Sequence, residues 1–80
     1  MNKVTVYSKD GCIQCKLTKR ELKRDGIEFK EINLDQVKDG NLIREQLKNQ
    51  GFKATPIVKT EHETWTGFRP EKIKELIKAK

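Results

Sequence analysis

The stretch Gly11–Asp25, GCIQCKLTKRELKRD, sets two cysteines three positions apart at the start of a strongly basic helical segment. Three readings compete for Cys12 and Cys15: a disulfide staple, half of a metal site, or a redox centre. A bridge between them would close a tiny loop and constrain the unfolded chain very little, so a staple is a poor reading. Small secreted domains lean on several bridges, and two cysteines can make only one. A structural zinc would need two more ligands. His62 is the only histidine, it sits between Glu61 and Glu63 in a turn where simple exposure accounts for it, and no second Cys-x-x-Cys exists. The residues alone leave open a metal or cluster shared between two chains.

The surroundings of the pair favour the redox reading. Upstream, Lys3 to Tyr7 alternates Val4 and Val6 with polar residues and reads as a short strand, broken by Gly11. A helix is expected from about Ile13 to Arg24, with Gly26 at the left-handed position that follows a helix end. Cys15, Thr18 and Leu22 share one stripe of it, while Ile13 lies near an exposed, active end. A Cys-x-x-Cys that follows a strand and opens a helix in a cytosolic chain reads as a thioredoxin-like redox motif. Unpaired backbone N–H groups and the helix dipole favour negative charge at that end. Cys12, at the boundary, is then the more accessible sulfur. It should ionise below the ~8.5 of a free thiol, aided by Lys9 and Lys16. Cys15, one turn inside, should stay protonated until needed. Cys12 would attack a target disulfide, and Cys15 would resolve the mixed disulfide that results.

Further along, Ile27 to Leu34 is rich in β-formers and reads as a second strand. A second helix is expected from about Lys38 to Gln50, with Leu42, Ile43 and Leu47 on its apolar face and Gly51 as its stop. Pro56–Lys59 and Glu63–Thr66 read as two strands joined by a turn so short that they must pair antiparallel. Pro70 opens a last helix at its first turn, with Ile73, Leu76 and Ile77 on its apolar side. The order βαβαββα gives an α/β domain spanning residues 1–80, a four-stranded mixed sheet flanked by three helices, without linker or repeat.

Composition bounds the function. Eighty residues, 18 basic and 12 acidic, carry a formal charge of +6, and a chain this short buries only about 60% of its unfolded surface. The excess clusters at Lys16, Lys19, Arg20, Lys23 and Arg24 and in a tail of Lys72, Lys74, Lys78 and Lys80. A solvated face explains most of it. Aromatics for stacking bases are few and no nucleic-acid-binding motif accompanies the charge, so an acidic protein partner is a better use for it than nucleic acid. No segment has the length of a signal peptide's apolar region or of a membrane span. A cytoplasmic location and no membrane partner are therefore expected.

Taken together, VTVYSKDGCIQC from Val4 to Cys15, Ala54-Thr55-Pro56, and Trp65-Thr66-Gly67-Phe68-Arg69-Pro70 resemble the NrdH redoxins, glutaredoxin-like members of the thioredoxin superfamily. The resemblance covers essentially the whole chain, with the three motifs in the expected order. It implies a thioredoxin fold and a small dithiol electron carrier with no cofactor of its own, expected to be monomeric. Such a carrier takes electrons from NADPH through thioredoxin reductase and delivers them to class Ib ribonucleotide reductase. The resemblance further implies a cis Pro56, with Thr55 facing Cys12 and offering its backbone to an extended substrate segment. Ile13 and Gln14 would border the same surface. Glutathione-using glutaredoxins usually carry Gly-Gly and acidic residues where Thr66-Gly67-Phe68-Arg69 stands here, so the γ-glutamyl end of glutathione is disfavoured. Lys9, however, matches a position that faces glutathione's carboxylate, which keeps a glutathione-dependent glutaredoxin as the alternative. Trp65 and Phe68 equally suit the edge of the core, and Arg69 with Thr66 can hold the loop by hydrogen bonds to carbonyls. Two departures from the family habit are Asp10-Gly11, whose carboxylate would oppose a thiolate at Cys12, and a lengthened stretch from Gln36 to Asn41.

Overall fold

A computed structural model describes residues 4–78 of the chain, with side chains through Leu76; the expectations for Lys3, the side chains of Ile77 and Lys78, and Lys80 lie outside the described residues. The elements are β1 (Thr5–Ser8), α1 (Ile13–Arg24), β2 (Lys30–Asn33), α2 (Gly40–Asn49), β3 (Ile57–Lys59), β4 (Thr64–Thr66) and α3 (Pro70–Lys78). The sheet runs β2-β1-β3-β4. β1 pairs parallel with β2 and antiparallel with β3, and β3 pairs antiparallel with β4. This is the mixed four-stranded sheet with three helices expected from the sequence, a thioredoxin fold.

Strand alternation sorts the apolar residues into two layers. On one face Val6, Val58 and Trp65 meet Leu22 of α1 and Ile73 of α3, with Val4 and Ile27 closing the cluster. On the other face Ile57 packs with Leu34 and Leu47 of α2, bordered by Tyr7, Ile32, Ile43 and Phe52. The sheet is thus sandwiched, with α1 and α3 on one side and α2 on the other. Full burial of a Leu or Ile contributes about 1.5–3 kcal/mol. Leu22 and Ile73, both fully buried, tie two helices to one sheet face.

The first helix has the predicted bounds, and Cys15, Thr18 and Leu22 are its buried residues. The buried Thr18 hydroxyl donates to the Gln14 carbonyl at 2.9 Å, which satisfies it within the helix. Gly26 follows with φ 71°, a conformation that a Cβ would strain, and its N–H donates to the Lys23 carbonyl at 3.1 Å. α2 departs from expectation at Leu42, which is 58% exposed. Ile43 and Leu47 are four apart and share a face, whereas Leu42 lies about 140° round the helix from Leu47 at 100° per residue. β2 is shorter than its run of β-formers. Ile27 is already tied to the end of α1 by its N–H to the Leu22 carbonyl.

Gly40, first residue of α2, is buried against the backbone of Leu34: a Cβ there would fall inside the van der Waals radius of the Leu34 carbonyl oxygen. The start of α2 is thereby pressed onto the end of β2. No helix among the described residues is long and apolar enough to cross a membrane.

Candidate active site

The turn from β1 into α1 carries the two cysteines. Cys12 is the N-cap residue, with extended backbone (φ −94°, ψ 107°), and its Sγ accepts the Cys15 N–H at 3.1 Å. An N-cap sulfur therefore does what a serine or aspartate oxygen does at other helices, taking up one of the orphan N–H groups of the first turn. Cys12 and Cys15 are joined as a disulfide with their Cα atoms 5.2 Å apart. Cys12 is 9% exposed and Cys15 1%, so the N-terminal sulfur is the one solvent reaches first. Once the bridge is reduced, the same N–H would stabilise a thiolate at Cys12.

Thr55 arrives from the loop before β3. Its hydroxyl stands 3.8 Å from Cys12 Sγ, and the Thr55–Pro56 peptide bond is cis. The Pro56 carbonyl accepts the Gly67 N–H at 2.8 Å, so the cis-proline turn and the Trp65–Pro70 stretch are one hydrogen-bonded unit. Gly67 also approaches the tip of α1: a Cβ there would be 3.7 Å from Gln14 Oε1. Ile13, 73% exposed, projects from the same tip. Lys9 and Thr55 both border a cleft of about 350 Å³.

The remaining members of the expected set lie elsewhere. Trp65 is buried and Phe68 packs against the same core, so both rings serve the interior. Arg69 is exposed; its Nε donates to the Thr66 carbonyl at 3.1 Å and its guanidinium stands 4.0 Å from Glu71. Pro70 is the first residue of α3, whose N–H groups at Lys72 and Ile73 bond to the Arg69 carbonyl. The loop between β4 and α3 is held both by its own residues, through Arg69 and Thr66, and by the Gly67 N–H on the Pro56 carbonyl.

Two networks were not legible in the sequence. In the first, Asp10 Oδ1 accepts from Asn33 Nδ2 and from Gln36 Nε2, each at 3.0 Å, while the Asp10 N–H donates to Asp35 Oδ2 at 2.9 Å. Asp35 pairs with Arg44 of α2 through its other oxygen. The Arg44 guanidinium, and after it the Asp10 N–H, hold the Asp35 carboxyl below its usual range. Asp10 Oδ1 is thus tied to Asn33 at the end of β2 and to Gln36 just beyond it, which anchors the loop leading to Cys12. The Asp35 N–H bonds to Asn33 Oδ1 at 2.9 Å, so Asn33-Leu34-Asp35 is an Asx turn, the one local signal of this network in the sequence. In the second, Glu31 Oε2 accepts from the buried Ser8 hydroxyl and from Lys19 Nζ, each at 2.7 Å. Those two hydrogen bonds, Lys19's first, keep the Glu31 carboxyl below its ordinary value.

Among the described residues no group of three or more His, Cys, Asp and Glu is placed to hold a metal ion. The pair's own geometry is that of a reversible disulfide: one sulfur at a helix N-terminus, the other buried one turn inside, and a cis-proline loop against the first. Fold and site together define a thioredoxin-fold thiol-disulfide oxidoreductase.

Comparison with known proteins narrows this class. The glutaredoxin family model matches residues 4–64. The chain is 38% identical to the glutaredoxin-like protein NrdH of Escherichia coli K12 over 74 residues, 92% of this chain and 88% of that one. It is equally 38% identical to the NrdH protein of Lactococcus lactis subsp. cremoris over 73 residues, 91% of this chain and 97% of that one. The solved structure of the E. coli NrdH-redoxin superposes with a TM-score of 0.84, covering 92% of this chain and 93% of that one. The chain belongs to the glutaredoxin family and, within it, to the NrdH redoxins.

Proposed function

We propose that this redoxin carries electron pairs in the cytoplasm from NADPH, by way of thioredoxin reductase, to a class Ib ribonucleotide reductase. The Cys12 thiolate attacks one sulfur of the target disulfide, forming a mixed disulfide and releasing the other sulfur as a thiolate that takes up a proton. Cys15 then loses its proton and attacks the Cys12 sulfur, expelling the second target thiol. The target has gained two electrons and two protons, and the redoxin is left with the Cys12–Cys15 bridge seen in this structure. Thioredoxin reductase restores the dithiol with two electrons from NADPH.

The observation that carries this reading is the join between Pro56 and Gly67 beside Gln14. The Thr66–Arg69 segment is thereby tied to the cis-proline turn whose Thr55 faces Cys12, and it carries Phe68 and Arg69 at the positions where glutathione-using glutaredoxins usually carry small and acidic residues. An arginine there repels the ammonium of a γ-glutamyl group. The similar E. coli NrdH-redoxin is described as having a thioredoxin-like activity profile, in agreement with the same route. In this reading Thr55 and Pro56 present backbone to an extended substrate segment, with Ile13, Gln14 and Lys9 around it and the chain acting as a monomer.

The test is NADPH consumption with thioredoxin reductase, the redoxin and a disulfide substrate, run beside glutathione and glutathione reductase. Turnover with thioredoxin reductase alone is expected. Turnover only with glutathione would make the chain a glutathione-dependent glutaredoxin, the reading that Lys9 keeps alive.

A further inference from the structure

The cleft that begins at Thr55 is ringed by positive charge. Lys9 comes from the loop before Cys12, Arg44 and Lys48 from α2, and Lys53 from the loop before β3; Leu47 and Phe52 supply an apolar floor. Of the four cations, only Arg44 has a carboxylate partner, Asp35. Lys9, Lys48 and Lys53 enter no ion pair among the described residues. Elsewhere, Lys19, Arg24, Arg69 and Lys72 are each matched with a glutamate. Other cations without an ion pair among the described residues, such as Lys16, Arg20 and Lys23 on α1, lie outside the cleft. What sets the cleft apart is that four cations and no aspartate or glutamate line one concave site, and that Thr55 belongs both to that site and to the surroundings of Cys12 Sγ.

A concave site lined by one sign of charge over low-dielectric walls concentrates the opposite charge and raises association rates. Its volume of about 350 Å³ suits a few side chains rather than a duplex. Any chain that lies extended across Thr55 delivers its neighbouring residues into the cleft.

We propose that this cleft selects the redoxin's polypeptide substrates, by receiving acidic residues that flank the disulfide under attack. Lys48 and Lys53, with Lys9, are then specificity determinants for a partner whose redox-active segment is acidic. The inference rests on the disulfide-reducing role of Cys12 and adds the chemistry of what that sulfur meets.

Two synthetic peptides test it, each with the same internal Cys-x-x-Cys disulfide, flanked on both sides by three glutamates in one and three glutamines in the other. Pre-reduced redoxin is mixed with each in a single turnover. At low salt the glutamate peptide should react about tenfold faster, within the range that electrostatic steering supplies. Raising salt to about 0.5 M, where screening acts over only a few ångströms, should collapse the ratio towards one. The Lys48→Glu/Lys53→Glu double variant should abolish or invert the ratio at low salt. Arg20→Glu/Lys23→Glu, with the same change in net charge on α1, should leave it unchanged.

Equal low-salt rates for the two peptides would overturn the proposal while leaving the redox role intact. An equal fall in both double variants would also overturn it, because steering would then belong to net charge and not to the cleft. If neither peptide were reduced, the redox role itself would fail and the cleft proposal with it.

Discussion

At the scale of single residues, the chemistry rests on the different surroundings of two sulfurs. Cys12 caps a helix and meets Thr55, while Cys15 lies beneath it, nearly sealed. A Cys15→Ser variant should accumulate a stable mixed disulfide between Cys12 and a target peptide, seen as an added mass that dithiothreitol removes. Cys12→Ser should show neither adduct nor turnover; an adduct through Cys15 would reverse the order of attack. Glu31 makes a different prediction. Its carboxyl is held below the usual range by Lys19 and Ser8, so the folded state prefers the ionised form more than the unfolded chain does. The stability this adds is fully present above the ordinary glutamate value and is lost as pH falls through the lowered one. Glu31→Gln should cost on the order of 1 kcal/mol near neutral pH, the net worth of such hydrogen bonds at a partly exposed site. The difference in denaturant midpoint between variant and parent should shrink below about pH 4. A gap that persists at pH 3 would show that Glu31 acts through packing.

At the scale of elements, what was legible in the sequence was what a segment decides for itself. α1 was readable to the residue because Gly11 and Gly26 punctuate it and its three buried positions recur at helical spacing. The start of α3 was equally plain from Pro70. Leu42 misled because three apolar residues in six look like one face until a neighbouring sheet fixes the helix's rotation, and Ile43 with Leu47 won the inward position. Gly40 carried no local signal, since its demand comes from the Leu34 carbonyl on another element. Gly40→Ala should therefore destabilise the fold by about 1–3 kcal/mol, as overpacking against an unyielding neighbour does, measured by denaturant midpoint. A glycine valued only for being a helix breaker would instead make alanine stabilising. The Asp10 network escaped for the same reason: its partners are Asn33, Asp35 and Gln36, and only the fold brings them to the mouth of α1. Asp35→Ala removes the acceptor of the Asp10 N–H. Exchange of that amide with solvent should quicken at least about tenfold, while amides of β1 keep their protection. Unchanged exchange at Asp10 would mean that Asn33 and Gln36 hold the loop unaided.

For the whole molecule, stability depends on a few contacts between layers. Among the described residues the larger core holds seven buried residues with three more packed around them, and it fastens α1 and α3 to one face of the sheet. In a small domain with about 5–15 kcal/mol of total stability, one cavity is a large fraction. Leu22→Ala should cost about 2–5 kcal/mol and lower the thermal midpoint by well over ten degrees. A shift of only a few degrees would show that α1 and α3 close over the gap. The same construction explains why the redox site could be recognised from three short motifs. β1, the cis-proline turn and the β4–α3 loop come together at one end of the sheet, and each contributes a fragment that is recognisable alone. The cleft beside them draws its lysines from three separate elements, and no stretch of the sequence displays it as a unit.

The order of the strands has one more consequence. A sheet of four strands has two outer borders, and here they are β2, which carries Lys30 and Glu31, and β4, only three residues long. Open borders of that kind are where one molecule templates the misassembly of the next, and charge and brevity are what discourage it. In the proposed reading, a carrier that offers backbone at Thr55 to extended substrate chains is guarded against pairing with its own copies at these two borders, one charged and the other short.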